Sequence, residues 1–75
     1  MAFTETQLVS EKNKVEPWLN SQEGFTGSGI GIGRGGQICL KIFTNQMSIE
    51  TKRAIGSRLQ YLPHEFEETG QISAF

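Results

Sequence analysis

Seven of the nine glycines in this 75-residue chain fall between Gly24 and Gly36, and four of them stand in strict alternation. Gly27, Gly29, Gly31 and Gly33 are separated by Ser28, Ile30 and Ile32, with Arg34 following. Successive side chains of a β-strand point to opposite faces, so this run predicts an extended ribbon with bare backbone on one face and isoleucines on the other. A helix is a poor alternative, because each interior glycine costs about 1 kcal/mol relative to alanine. Glycine also weakens a strand, and usually persists there for a bulge, a bend or a close backbone approach. Four in phase therefore predict that neighbouring atoms lie tightly on the naked face.

The flanking segments have their own signals. Arg34-Gly35-Gly36-Gln37 has turn chemistry for a hairpin, and Ile38 to Phe43 reads as the return strand. Ile38, Leu40 and Ile42 share one face of it, with Cys39, Lys41 and Phe43 on the other. Upstream, Thr4 and Gln7 form a capping box, and Phe3 and Leu8 are spaced for a hydrophobic staple. Leu8, Val15, Trp18 and Leu19 continue one helical stripe. Pro17 lacks a backbone donor, so the regular helix is expected to stop or kink near Lys14 to Glu16, leaving Pro17-Trp18-Leu19 as a short turn. Downstream, Ser48 is a good N-cap for a second helix over Ile49 to Gln60. Its expected apolar stripe is Thr51, Ala54, Ile55, Leu59 and Leu62, with Lys52, Arg53 and Arg58 facing water. Gly56 would allow that helix to pack closely on the sheet. His64 to Thr69 is the expected third strand, with Phe66 inward and Glu65, Glu67 and Glu68 outward, followed by a short strand or docked tail over Gln71 to Phe75. Helix, hairpin, helix and strand together predict a single small α+β domain over residues 1–75, built as a two-layer sandwich.

Several activities are excluded at this level. A chain this short buries only about 60% of its unfolded surface and has one modest core. Seven Lys and Arg against eight Asp and Glu leave a net charge of −1, so no global field recruits nucleic acid or an acidic membrane. A single cysteine excludes an internal disulfide, and Cys39 with His64 cannot close a zinc site unaided. In a strand His64 and Glu68 share a face, but a third metal ligand would have to come from elsewhere. The N-terminal residues carry no leader pattern and no stretch is apolar enough to span a bilayer, so a cytoplasmic chain is expected. Gly31 to Gly36 matches G-x-G-x-x-G, yet the strand-like residues that follow leave no helix N-terminus for a pyrophosphate. Cys39 and His64 could act as nucleophile and base only if the fold joined them. The expectation is a non-enzymatic protein with no cofactor and no metal.

Two resemblances bear on function. Ile32-Gly33-Arg34-Gly35-Gly36-Gln37-Ile38 resembles the I-G-x-x-G-x-x-I signature of KH domains, which implies a loop that clamps single-stranded RNA. In KH domains that loop joins two helices, whereas the residues on either side here favour strands. A longer stretch is similar to the N-terminal module ahead of some bacterial trypsin-like serine peptidases. It comprises Gly29-Ile30-Gly31-Ile32-Gly33, the return strand, the second helix, and Leu62-Pro63-His64-Glu65-Phe66-Glu67-Glu68-Thr69-Gly70 with Ala74 beyond. His64-Glu65-Phe66 departs from the β-branched residues usual there, and the capped first helix is an addition. That resemblance implies a non-catalytic accessory or regulatory module. The expected function is a protein-interaction module with a protein partner or a second copy of itself. Its expected docking residues are Gly33, Arg34, Gly35 and Gly36 together with Lys52, Arg53 and Arg58; RNA binding through Gly33 to Gly36 is the alternative.

Overall fold

Helix α1 (Glu5–Leu19) opens the computed structural model, which describes residues 3–69. Its start is the capping box: Gln7 N–H donates to Thr4 Oγ1 at 3.2 Å and Thr4 N–H donates to Gln7 Oε1 at 2.9 Å. Phe3 and Leu8 both pack into the core, as a staple requires. The expected stop before Pro17 does not occur, because the helix runs through Pro17 to Leu19. Proline removes one donor in the final turn, but Asn20 N–H still reaches Glu16 O at 2.8 Å. Ser21 Oγ at 2.6 Å and Gln22 Nε2 at 3.2 Å both donate to Trp18 O, capping the helix end. Burial of Leu19 holds that last turn against the sheet.

The glycine run is a strand, β1 (Phe25–Ile32), paired antiparallel with β2 (Ile38–Thr44). Residues 33–37 join them, with Gly33 and Gln37 paired across a turn of Arg34, Gly35 and Gly36. Gly36 N–H donates to Gly33 O at 3.0 Å, Gly33 N–H donates to Gln37 O at 2.8 Å, and Gly36 sits at φ 81°. This is a turn closed by a left-handed residue, a position that glycine fills without strain. Helix α2 (Ile49–Arg58) then crosses over to β3 (His64–Glu68), which lies parallel to β2. Parallel neighbours need such a crossover, and the resulting strand order is β1-β2-β3.

The register divides the sheet into two faces. Ile30, Leu40 and His64 align across the strands, as do Ser28, Ile42 and Phe66, on the side that meets the helices. Leu8, Val15 and Leu19 of α1 meet Leu40 and Ile42 of β2 there, with Met47, Ile55, Leu59 and Leu62 completing the core. The opposite face carries Gly29, Lys41 and Glu65 in one row and Gly27, Phe43 and Glu67 in the next. Two expectations for α2 need correction. The helix ends at Arg58 rather than Gln60, and Ala54 is exposed because α2 rests on the sheet through Ile55, with Leu59 one turn further on. The expected strand or tail at Gln71 to Phe75 lies outside the described residues. Among those described, no helix is long and apolar enough to cross a membrane.

Candidate functional site

Both helices lie on one face of the sheet, so the glycine face of β1 is met by side chains from the next strand. Phe43 lies over it: a methyl group placed on Gly29 would sit 3.8 Å from Phe43 Cε2, and one on Gly27 4.0 Å from Cδ2. Lys41 covers Gly31, where a methyl group would come within 3.2 Å of Cγ. The tight approach expected from the alternation holds only in part: the contact is ordinary at Gly27 and Gly29 and close at Gly31 and Gly33, and its source is cross-strand packing within the sheet. An aromatic ring laid over facing glycines supplies the contact that glycine cannot make for itself.

Lys41 is the centre of a charged row. Its Nζ lies 3.0 Å from Glu65 Oε1 and 3.4 Å from Glu67 Oε2, and its side chain is only 15% exposed. The hydrogen bond to Glu65 holds the ammonium pKa above its ordinary value. Glu65 does a second job with its other oxygen, which accepts from Arg34 N–H at 2.7 Å. That backbone bond, ahead of the Lys41 contact, pulls the Glu65 carboxyl below its usual range. Gly33 has no side chain to obstruct this contact, since a methyl group there would stand 2.5 Å from the same oxygen. The glycine loop therefore already holds a carboxylate on an amide of the kind that would otherwise hold a phosphate. It also joins two strands, unlike the loop of a KH domain.

The expected docking residues do not form one patch. Gly33, Arg34, Gly35 and Gly36 make the hairpin turn at the Ile32–Ile38 end of the sheet. Lys52 is at the other end, within electrostatic reach of Glu68. The Arg58 guanidinium stacks 4.5 Å over the Trp18 ring, tying α2 to α1, and Arg53 is exposed. Cys39 and His64 are also kept apart. His64 aligns with Leu40 on the helix face, while Cys39 aligns with Gly31 on the opposite one. Burial, and then the nearby Glu65 charge, push the Cys39 thiol pKa up, away from the reactive thiolate. His64 Nδ1 lies 2.9 Å from Leu62 O.

The two outer strands are unlike each other. β3 is five residues long and carries Glu65, Glu67 and Glu68, charges that discourage a further strand from pairing there. β1 is eight residues long, with no charge and no proline. Strand order is what sequence reasoning lacked, because neither the glycine alternation nor the glutamates say which strand is left unpaired. The role of Glu65 was hidden for a related reason: an outward glutamate in the sequence shows neither of its partners. The chain matches no family model, no curated protein and no solved structure at a meaningful level of similarity.

Proposed function

We propose that the chain is a non-enzymatic, cytoplasmic protein-interaction module that receives an extended segment along the outer edge of β1, which pairs with no strand among the described residues. One observation carries this reading: the uncharged edge of β1 stands opposite an edge guarded by three glutamates. Strand addition takes its affinity from main-chain hydrogen bonds, and an edge whose own strand carries no charge and no proline is suited to it. Resemblance to a peptidase accessory module agrees with a docking role without catalysis. The nucleic-acid alternative is less favoured, since Glu65 already accepts from the loop amide at Arg34 and places negative charge beside it.

Amide-shift mapping of the full chain against extended peptides and, separately, short single-stranded oligonucleotides at low salt tests this. Responses concentrated along Ser28 to Ile32 with peptide support docking at the edge. Responses confined to Gly33–Gly36 with oligonucleotide, or to the cations of α2, overturn it.

A further inference from the structure

Antiparallel pairing alternates inward- and outward-facing backbone groups, and Gly33 fixes the phase. Its N–H bonds inward to Gln37 O, so Gly31, Gly29 and Gly27 bond inward to β2 as well. The N–H and C=O groups of Ser28, Ile30 and Ile32 consequently point out from the edge of β1 that is unpaired among the described residues. Helix α1 shows what lies above them. Glu11 and Trp18 face α2 and the turn after it, because Tyr61 Oη donates to Glu11 Oε1 at 3.0 Å and Arg58 stacks on Trp18. The other flank of α1, carrying Val9, Lys12 and Glu16, therefore lies toward the β1 edge, and Ser28 Oγ donates to Glu16 Oε2 at 3.0 Å. Val9 is 40% exposed and Ile32 62% exposed.

Resting on the edge-docking reading above, we propose that the occupant of the β1 edge is a second copy of this chain, paired antiparallel about a two-fold axis near Ile30 to make a continuous six-stranded sheet. Only registers that set outward residues against outward residues form bonds, and this one pairs Ile30 with Ile30 and Ile32 with Ser28 of the second copy. It shields the exposed Ile32. Turning one α1 antiparallel to the other also sets the flank carrying Val9, Lys12 and Glu16 of one copy beside the same flank of the second; within one chain Lys12 and Glu16 already pair at 3.0 Å. A foreign strand would find less to recognise. Selectivity in strand addition comes from pockets for alternate side chains, and the alternate positions of β1 are glycines. A two-fold contact uses one patch twice, so the complementarity here needs no second sequence. Neither β3 against β3, which sets glutamates against glutamates, nor β1 against β3, which does not close, has these properties.

Sedimentation equilibrium of the full chain from micromolar to millimolar concentration, with amide hydrogen exchange followed residue by residue, tests the seam. The expected result is a mass rising toward twice the monomer value, with exchange at Ser28, Ile30 and Ile32 slowing as the dimer forms. Ile32→Pro removes an outward donor at an exposed position, twice by symmetry, and is expected to weaken association by about tenfold or more with an unchanged far-UV spectrum. A dimer whose three amides exchange as in the monomer overturns the seam, as does an Ile32→Pro chain that associates as tightly as the parent. A monomer at every concentration overturns self-association. If peptide still protects the β1 amides of that monomer, edge docking survives alone; if none does, both fall.

Discussion

Gly24 and Gly29 are both glycines of the same run, yet a methyl group has opposite consequences at the two positions. Gly29 has extended backbone, and its added carbon would touch Phe43 Cε2 at an ordinary 3.8 Å. Gly29→Ala is expected to raise stability by about 0.4–1 kcal/mol, chiefly by narrowing the unfolded ensemble. Gly24 sits at φ 89°, and its added carbon would lie 2.8 Å from Met47 Cα, a backbone atom that cannot turn aside. Gly24→Ala is expected to cost about 1–2 kcal/mol or more. Urea unfolding of the two variants checks both signs, with the midpoint moving up for the first and down for the second.

At the level of the element, β3 is fastened at both ends by its own carboxylates. Glu65 holds Arg34 N–H in the hairpin turn, and Glu68 accepts from Gln46 N–H at 2.7 Å and from Thr44 Oγ1 at 2.9 Å. Gln46 has a left-handed backbone, φ 56°, so this bond secures a turn that is otherwise uncommon for its residue. Both carboxyls are held below their ordinary pKa, Glu65 first by Arg34 and Glu68 first by Gln46. Glu16 is lowered too, by Lys12 and then Ser28. A lowered carboxyl contributes stability that is complete above its unfolded value, roughly pH 4.3, and is lost as pH falls through the lower folded value. The free energy of unfolding is therefore expected to fall below about pH 4, and Glu65→Gln with Glu68→Gln to flatten that decline. At the alkaline end the sign reverses. Lys41 is raised by its bond to Glu65, Cys39 by burial, and Tyr61 by burial and then Glu11. Their contribution is present below the unfolded values and drains away as pH rises through the folded ones. Denaturant titrations across pH locate both shoulders.

The molecule as a whole rests on β2. Leu40 and Ile42 are fully buried between α1, α2 and the neighbouring strands, and there is no disulfide to share the load. A domain of this length has about 4–11 kcal/mol of stability in total. Leu40→Ala leaves a cavity at the centre and is expected to cost about 2–5 kcal/mol, a large part of that margin. Thermal unfolding should show it as a markedly lower midpoint. Dimerisation at β1 would add stability by mass action, so the parent chain's midpoint is expected to rise with protein concentration. An Ile32→Pro chain would show little such rise.

Local periodicity and caps were enough to read the elements. Thr4 with Gln7, the glycine alternation, the apolar positions of Ile38 to Ile42, and Ser48 are each decided by contacts within a few residues, and all four are where the sequence places them. Pro17 misled for the same reason. Its local cost is real, but Leu19 burial and the Trp18 carbonyl caps, made through the fold and the following turn, outweigh it. Which strand lies at an edge, which face the helices cover, and what Glu65 touches depend on residues far apart in the chain: Arg34 and Glu65 are bonded across 31 positions. Side-chain pattern along a segment records whether a position is buried or exposed. It carries no record of the neighbour that does the burying, and that is settled only when the strands pair.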